Sequence, residues 1–232
     1  MNIKLSALAL GITLAYGATA AMAADTATVE QIGNFNSAVV NQWDNDNASA
    51  SISSGGDLNY GSISQTDTYG SQASISSTGD RNGAFVVQQD VNFAHASINQ
   101  SASGGDATIH QWGTPSDGNS QWATINQTSG WGNSGHIDQN GDLLIATINQ
   151  RGYSNNAFIE QTGERFAFNR ATINQSGIRN DGHISQDGRD LEATINQRGG
   201  WNVATVMQRG QGYSATVTQV GYGNGAYVNQ QR

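Results

Sequence analysis

The stretch ATINQ stands at residues 123–127 and returns unchanged at 146–150, 171–175 and 193–197. Near copies are ATVEQ at 27–31, ASINQ at 96–100, ATIHQ at 107–111, ATVMQ at 204–208 and ATVTQ at 215–219. Read with the two-residue period of a β-strand, Ala, Ile and Gln share one face, while Thr and Asn share the other. Aligned on this stretch, one strand-like segment ends at Gln31, Ser54, Ser77, Gln100, Gln127, Gln150, Gln175, Gln197 and Gln219. Between them runs a second series, ending at Gln42, Gln65, Gln88, Gln111, Gln139, Gln161, Gln186, Gln208 and Gln230. Successive members of the first series are 23, 23, 23, 27, 23, 25, 22 and 22 residues apart. A period in this range marks a repeat array, here of two short segments and two turns per unit.

In the first series the residue four before the end is always Ala, from Ala27 to Ala215, and the residue two before is always Ile or Val. The second series repeats this inward pattern with Ala or Gly, then Ile or Val, then Gln. The outward positions of the first series are Thr or Ser, then mostly Asn or Ser, and are expected to face water. Those of the second are mixed and partly aromatic, with Val39, Phe85, His136, Phe158, His183 and Tyr227. Gly and Asn punctuate the turns, where left-handed backbone is needed. The pattern predicts an all-β, amyloid-like parallel β-solenoid of nine strand-turn-strand coils, one strand of each coil in each of two facing sheets. Coils about 4.8 Å apart make a rod about 43 Å long. A buried amide left unpaired costs roughly 1–3 kcal/mol. A column with one Gln per coil removes that cost, because each amide bonds to the next. Ser54 and Ser77 interrupt one column and should be locally weaker.

Composition agrees with a fold held by backbone pairing and side-chain ladders rather than by a large aliphatic core. Gly makes up 29 of 232 residues, charged residues are 12%, Pro occurs once and Cys not at all. Residues 1–23 differ from the rest. A short basic start ending at Lys4, an apolar run from Leu5 to Ala15 and Ala21-Met22-Ala23 as a cleavage site read as a secretory signal peptide, followed by nine repeats over 24–232. Pro115 falls in the surplus of the 27-residue unit, HQWGTPSDGNSQ at 110–121, so a loop insertion is expected near 112–122.

The spacing Gln-x-Gly-x-x-Asn-x-Ala-x-x-x-Gln is complete at Gln31, Gly33, Asn36, Ala38 and Gln42, and at Gln150, Gly152, Asn155, Ala157 and Gln161. It recurs at Gln197, Gly199, Asn202, Ala204 and Gln208, and at Gln219, Gly221, Asn224, Ala226 and Gln230. This resembles the curlin repeat of bacterial curli fibre subunits, over residues 27–230. The resemblance implies a secreted functional amyloid that leaves through an outer-membrane pore, polymerises with itself on a nucleator subunit, and forms adhesive cell-surface fibres (fimbriae) in a biofilm matrix. It also implies that Gln31, Asn36, Gln42, Gln219, Asn224 and Gln230 of the terminal repeats matter most for seeding. The chain departs from the usual major subunit in having nine repeats rather than about five, and in starting its first strand close to the cleavage site. The A-x-I-x-Q wording and the QQR ending are similar to the nucleator, but regular repeats at both ends favour the fibre-forming role.

Other chemistry is weakly represented. His95, His110, His136 and His183 sit at outward positions on different coils and read as scattered surface histidines, so no metal site is expected. DNDN at 44–47 begins like a calcium loop, but Ser49 and Gly55 replace the Gly and Glu it requires. Trp43, Trp112, Trp122, Trp131 and Trp201 lie near turns, and with a net charge of −8 they do not indicate nucleic-acid binding. No nucleophile elbow or phosphate loop occurs, so neither enzyme activity nor a cofactor is expected. The Thr/Ser-x-Asn face also fits an ice-binding solenoid, but only Thr216 and Thr218 form the Thr-x-Thr pair such proteins favour. A domain of a larger adhesin is a third class, which would need a chain continuing beyond Arg232. Charge is uneven: residues 25–150 hold twelve acids and one Arg, for −11, whereas residues 151–232 hold eight Arg and six acids, for +2.

Overall fold

A computed structural model describes residues 12–16, 25–113, 118, 120–163 and 168–232, the first of these segments by its backbone alone. The described residues form nineteen strands and no helix. Numbered along the chain, the even strands make one nine-stranded sheet. They are β2 (Thr26–Ile32), β4 (Ser49–Gly55), β6 (Gln72–Ser77), β8 (His95–Gln100), β10 (Trp122–Trp131), β12 (Leu144–Tyr153), β14 (Asn169–Ile178), β16 (Glu192–Gly200) and β18 (Ser214–Tyr222). The odd strands make a ten-stranded sheet. They are β1 (Ile12–Tyr16), β3 (Ser37–Trp43), β5 (Tyr60–Thr66), β7 (Gly83–Gln89), β9 (Asp106–Trp112), β11 (Ser134–Asn140), β13 (Asn156–Gly163), β15 (Asp181–Arg189), β17 (Val203–Gln211) and β19 (Gly225–Gln231).

Neighbours in each sheet are parallel and one coil apart in sequence, so β2 to β19 are the nine coils the repeat predicts. Register follows spelling: Ala123 to Gln127 pair residue for residue with Ala146 to Gln150, and these with Ala171 to Gln175. Like-on-like alignment keeps the apolar and amide positions of every strand on the inner face, where a one-residue slip would turn them outward. The single shift in the β10–β12 pairing falls between Gln127 and Ser129, where one extra residue is accommodated.

The core is the space between the sheets. Ile52, Ile98, Ile125 and Ile148 from the even sheet meet Ile63, Ile109, Ile137 and Ile159 from the odd one, all fully buried. The gap is narrow. At Gly61, Gly135 and Gly182, which replace Ala, an added Cβ would lie 2.9, 3.0 and 3.1 Å from Cγ2 of Ile52, Ile125 and Ile173. The turns are equally tight. Gly152 has φ +116°, and a Cβ there would overlap the Gly177 carbonyl of the next coil, so glycine is required both for conformation and for close approach.

All five tryptophans are exposed at or near strand ends, as expected from their place beside turns. The DNDN segment is a turn in which Asp44 and Asn47 take left-handed φ of 54° and 57°. Asn45 there accepts the Thr68 N–H at 3.0 Å and donates to the Gln65 carbonyl at 3.0 Å, so its side chain serves the next coil. The insertion near 112–122 connects β9 to β10, and Pro115 lies outside the described residues. The sequence pattern did not anticipate β1. Its five residues, inside the segment read as a signal peptide, pair in parallel with β3 from Ile12↔Ala38 to Tyr16↔Gln42. The rest of 1–24 lies outside the described residues.

Candidate functional site: amide columns and the coil ends

Eighteen strands each bring one ladder position to the inner face. In the odd sheet the column is unbroken: Gln42 Nε2 donates to Gln65 Oε1 at 2.9 Å, and the bond recurs at every step to Gln208 and Gln230 at 2.8 Å. The amides from Gln65 to Gln208 are buried. Each also ties the coil shut, because Nε2 reaches a carbonyl at the start of the opposite strand, as from Gln139 to Trp122 at 3.2 Å and from Gln161 to Ile145 at 3.2 Å. One side chain thus bonds along the axis and across the core.

The even sheet has the same column from Gln100 through Gln127, Gln150, Gln175 and Gln197 to Gln219, at 2.9–3.1 Å. It changes where serine replaces glutamine. Ser77 Oγ still donates to Gln100 Oε1 at 3.0 Å, whereas Ser54 Oγ is buried without a partner. Gln31, at the outer end of this column, is half-buried. Nε2 points toward the C-terminal coil at every rung, so both columns have a direction. The last coil presents the Gln230 and Gln219 amides outward, and the first presents Gln42 Oε1.

A second amide column runs along the turn between the even and odd strands, through Asn36, Asn59, Asn82, Asn133, Asn155, Asn180, Asn202 and Asn224. Each Oδ1 up to Asn202 accepts the backbone N–H at the same place one coil on, with Asn36 accepting from Asn59 at 2.9 Å and Asn155 from Asn180 at 3.1 Å. The Nδ2 groups of Asn36, Asn155 and Asn202 donate to the carbonyls of Gly56, Gly177 and Gly221 at 2.8, 3.1 and 3.0 Å. The complete motifs marked Asn36, Asn155, Asn202 and Asn224. Asn59, Asn82, Asn133 and Asn180 belong to the same column and went unmarked. In the fourth coil Gly105 takes the place, donating its N–H to Asn82 Oδ1 at 3.0 Å. A third ladder lies on the outer face, where Asn99, Asn126, Asn149, Asn174 and Asn196 are linked at 2.8–3.0 Å. These residues bond to one another as well as facing out.

The histidines require a correction. His110, His136 and His183 are not scattered, because coiling brings residues 22–28 apart in sequence to adjacent places on the outer face of the odd sheet. His110 Nδ1 lies 2.9 Å from Asp138 Oδ1, and His136 Nε2 lies 3.0 Å from Asp138 Oδ2. His136 stacks on Phe158 with centroids 5.0 Å apart, and Phe158 meets His183 edge-on at 5.1 Å. Burial pushes the Asp138 carboxyl up, but hydrogen bonds from His110 and His136 and their charge outweigh it, holding it well below the usual carboxylate range. His95 lies apart on β8, against Trp122, and burial lowers its pKa.

From single residues to the whole, the described residues form a parallel β-solenoid sewn along its axis by amide columns. Residues 169–197 and 188–221, spanning β14 to β18, match the model of the curlin associated repeat. This part of the chain therefore carries curlin associated repeats, the repeat of a family of structural subunits. None of the curated proteins compared matches the chain.

Proposed function

We propose that the chain is the secreted structural subunit of a curli-like functional amyloid fibre, adding head to tail by strand-edge templating and serving adhesion and biofilm matrix. The supporting observation is the unfinished state of the terminal coils. Ala27 and Val29 at one end and Ala226 and Val228 at the other pack on the core yet remain only partly buried, unlike their counterparts inside the rod. Each end also carries a strand edge. A second copy stacked in the same direction would set Gln230 and Gln219 N–H groups against Gln42 and Gln31 Oε1, and Asn224 against Asn36. The seeding role of these residues follows from that stacking.

Charge supports the same polarity. The coils follow the chain along the rod, so the half of charge −11 and the half of charge +2 face opposite ends, disfavouring head-to-head contact. A secretory leader at 1–23, an outer-membrane export pore and a nucleator subunit complete the reading. In it, leader removal also frees the β3 edge that β1 covers. The test is to incubate the purified mature chain, residues 24–232, and follow thioflavin fluorescence and electron microscopy at low and high salt. Fibres whose elongation rate changes with salt are expected. A chain that stays monomeric and shows thermal hysteresis would overturn the fibre reading, and salt-independent kinetics would overturn the charge-directed polarity.

A further inference from the structure

We propose that His110, His136 and Asp138 form a binding site for a divalent transition metal ion, Zn²⁺ or Cu²⁺, that bridges the fourth and fifth coils. The site is built on paired strands. His136 and Asp138 are two residues apart on β11, hence on one face, and His110 on β9 is the direct register partner of Asp138. The three ligand atoms all lie within 4.8 Å of one another, with the two imidazole nitrogens 2.9 and 3.0 Å from the carboxylate oxygens. Metal–nitrogen and metal–oxygen bonds of about 2.1 Å in a tetrahedron place ligand atoms about 3.4 Å apart, so a small opening of the cluster admits the ion. Two imidazoles and one carboxylate suit Zn²⁺ and Cu²⁺ better than the hard cations, and three protein ligands leave a position for water.

The surroundings fix the donors. The side chains of His110 and His136 are 30% exposed and that of Asp138 36%, so the cluster is half-buried yet reachable. Trp112 packs edge-on to His110 at 6.1 Å and Phe158 stacks on His136. Binding requires neutral imidazoles, with the proton of His110 on Nε2 and that of His136 on Nδ1, so that the nitrogens facing Asp138 donate to the metal. The ion would clamp β9 to β11, the pair whose connection carries the insertion near 112–122. The site lies within one chain and does not depend on the fibre reading; in a fibre it would recur once per subunit, about every 43 Å.

The test is equilibrium dialysis of the full chain against Zn²⁺ and, separately, Cu²⁺ at neutral pH, with bound metal counted per chain. One tight equivalent is expected. His136→Thr and His110→Ser put at each place a residue found there in other coils, Thr108 and Thr205 or Ser64 and Ser185, so the strands are preserved. Each should weaken binding by more than the roughly tenfold to hundredfold that loss of even an outer partner costs, while His95→Gln on the opposite sheet binds as wild type. Electron paramagnetic resonance of the Cu²⁺ form should show two coupled nitrogens, falling to one in His136→Thr. Absence of a tight equivalent, or one retained in both variants, would overturn the site even if fibres form normally.

Discussion

Replacing Gln139 by Leu separates the amide columns from the apolar core as sources of stability. Gln139 is fully buried, accepts from Gln111 Nε2 at 2.9 Å, and donates to Gln161 Oε1 at 2.9 Å and to the Trp122 carbonyl at 3.2 Å. Leu fills most of the volume and makes none of these bonds. It leaves an N–H of Gln111 and the oxygen of Gln161 buried without their ladder partner, at about 1–3 kcal/mol each. Burying the apolar replacement returns about 1.5–3 kcal/mol. The midpoints leave a net loss of about 2 kcal/mol, equivalent to a roughly 30-fold change in an opening equilibrium. Coils touch only their neighbours, so the loss should be local. Hydrogen exchange of the assembled chain is the assay: amides of β9, β11 and β13 should lose about that factor in protection, and those of β3 and β19 should not change. Unchanged or increased protection around position 139 would falsify the claim that the amides hold the coils together.

Three further outcomes follow from single sites. Ser54→Ala removes a buried hydroxyl that has no partner, so it should be neutral or stabilising by up to about 1–3 kcal/mol, seen as equal or slower exchange in β4. Gly152→Ala combines a positive φ with overlap on the Gly177 carbonyl and should cost more than about 1–3 kcal/mol; delayed thioflavin fluorescence in the variant is the check. His95 has a pKa lowered by burial, so the unfolded chain binds its proton more readily and stability is lost as pH falls below about 6.5. His95→Gln, which copies Gln72 of the preceding coil, should lose that part of the acid sensitivity while matching wild type above pH about 7 in denaturant titrations.

The coils were legible because a strand face reads directly as alternate residues and because identical words at a fixed offset must stack. What escaped depends on neighbours in space. Asn59 and Asn82 follow Ser54 and Ser77 rather than Gln, Asn133 follows the extra residue at the bulge, and Asn180 precedes Gly182 instead of Ala. Each therefore breaks the motif at one or two letters, although the backbone needs the same acceptor there. The His110–Asp138 contact joins residues 28 apart and becomes visible only when the insertion is counted into the coil. Strand β1 was hidden for another reason, since an apolar leader and an edge strand draw on the same residues.

The amides also explain how a core this thin specifies one register. Ala or Gly, then Ile or Val, recur in all coils of both sheets, and apolar packing alone tolerates a two-residue slip, which keeps each side chain on its face. Such a slip would bring Ile beside Gln in every column. Each buried amide would lose its axial bond, at about 1–3 kcal/mol per unpaired group, while the Ala and Ile contacts changed comparatively little. Register is therefore set by the polar part of the interior. In the fibre proposed above, the same rule would act between chains: a terminal coil with Gln219, Gln230 and Asn224 in place would be matched only by a partner that offers Gln and Asn at the same spacing. Another curlin-type repeat would satisfy that requirement, whereas an unrelated strand edge would leave the Gln and Asn columns unpaired.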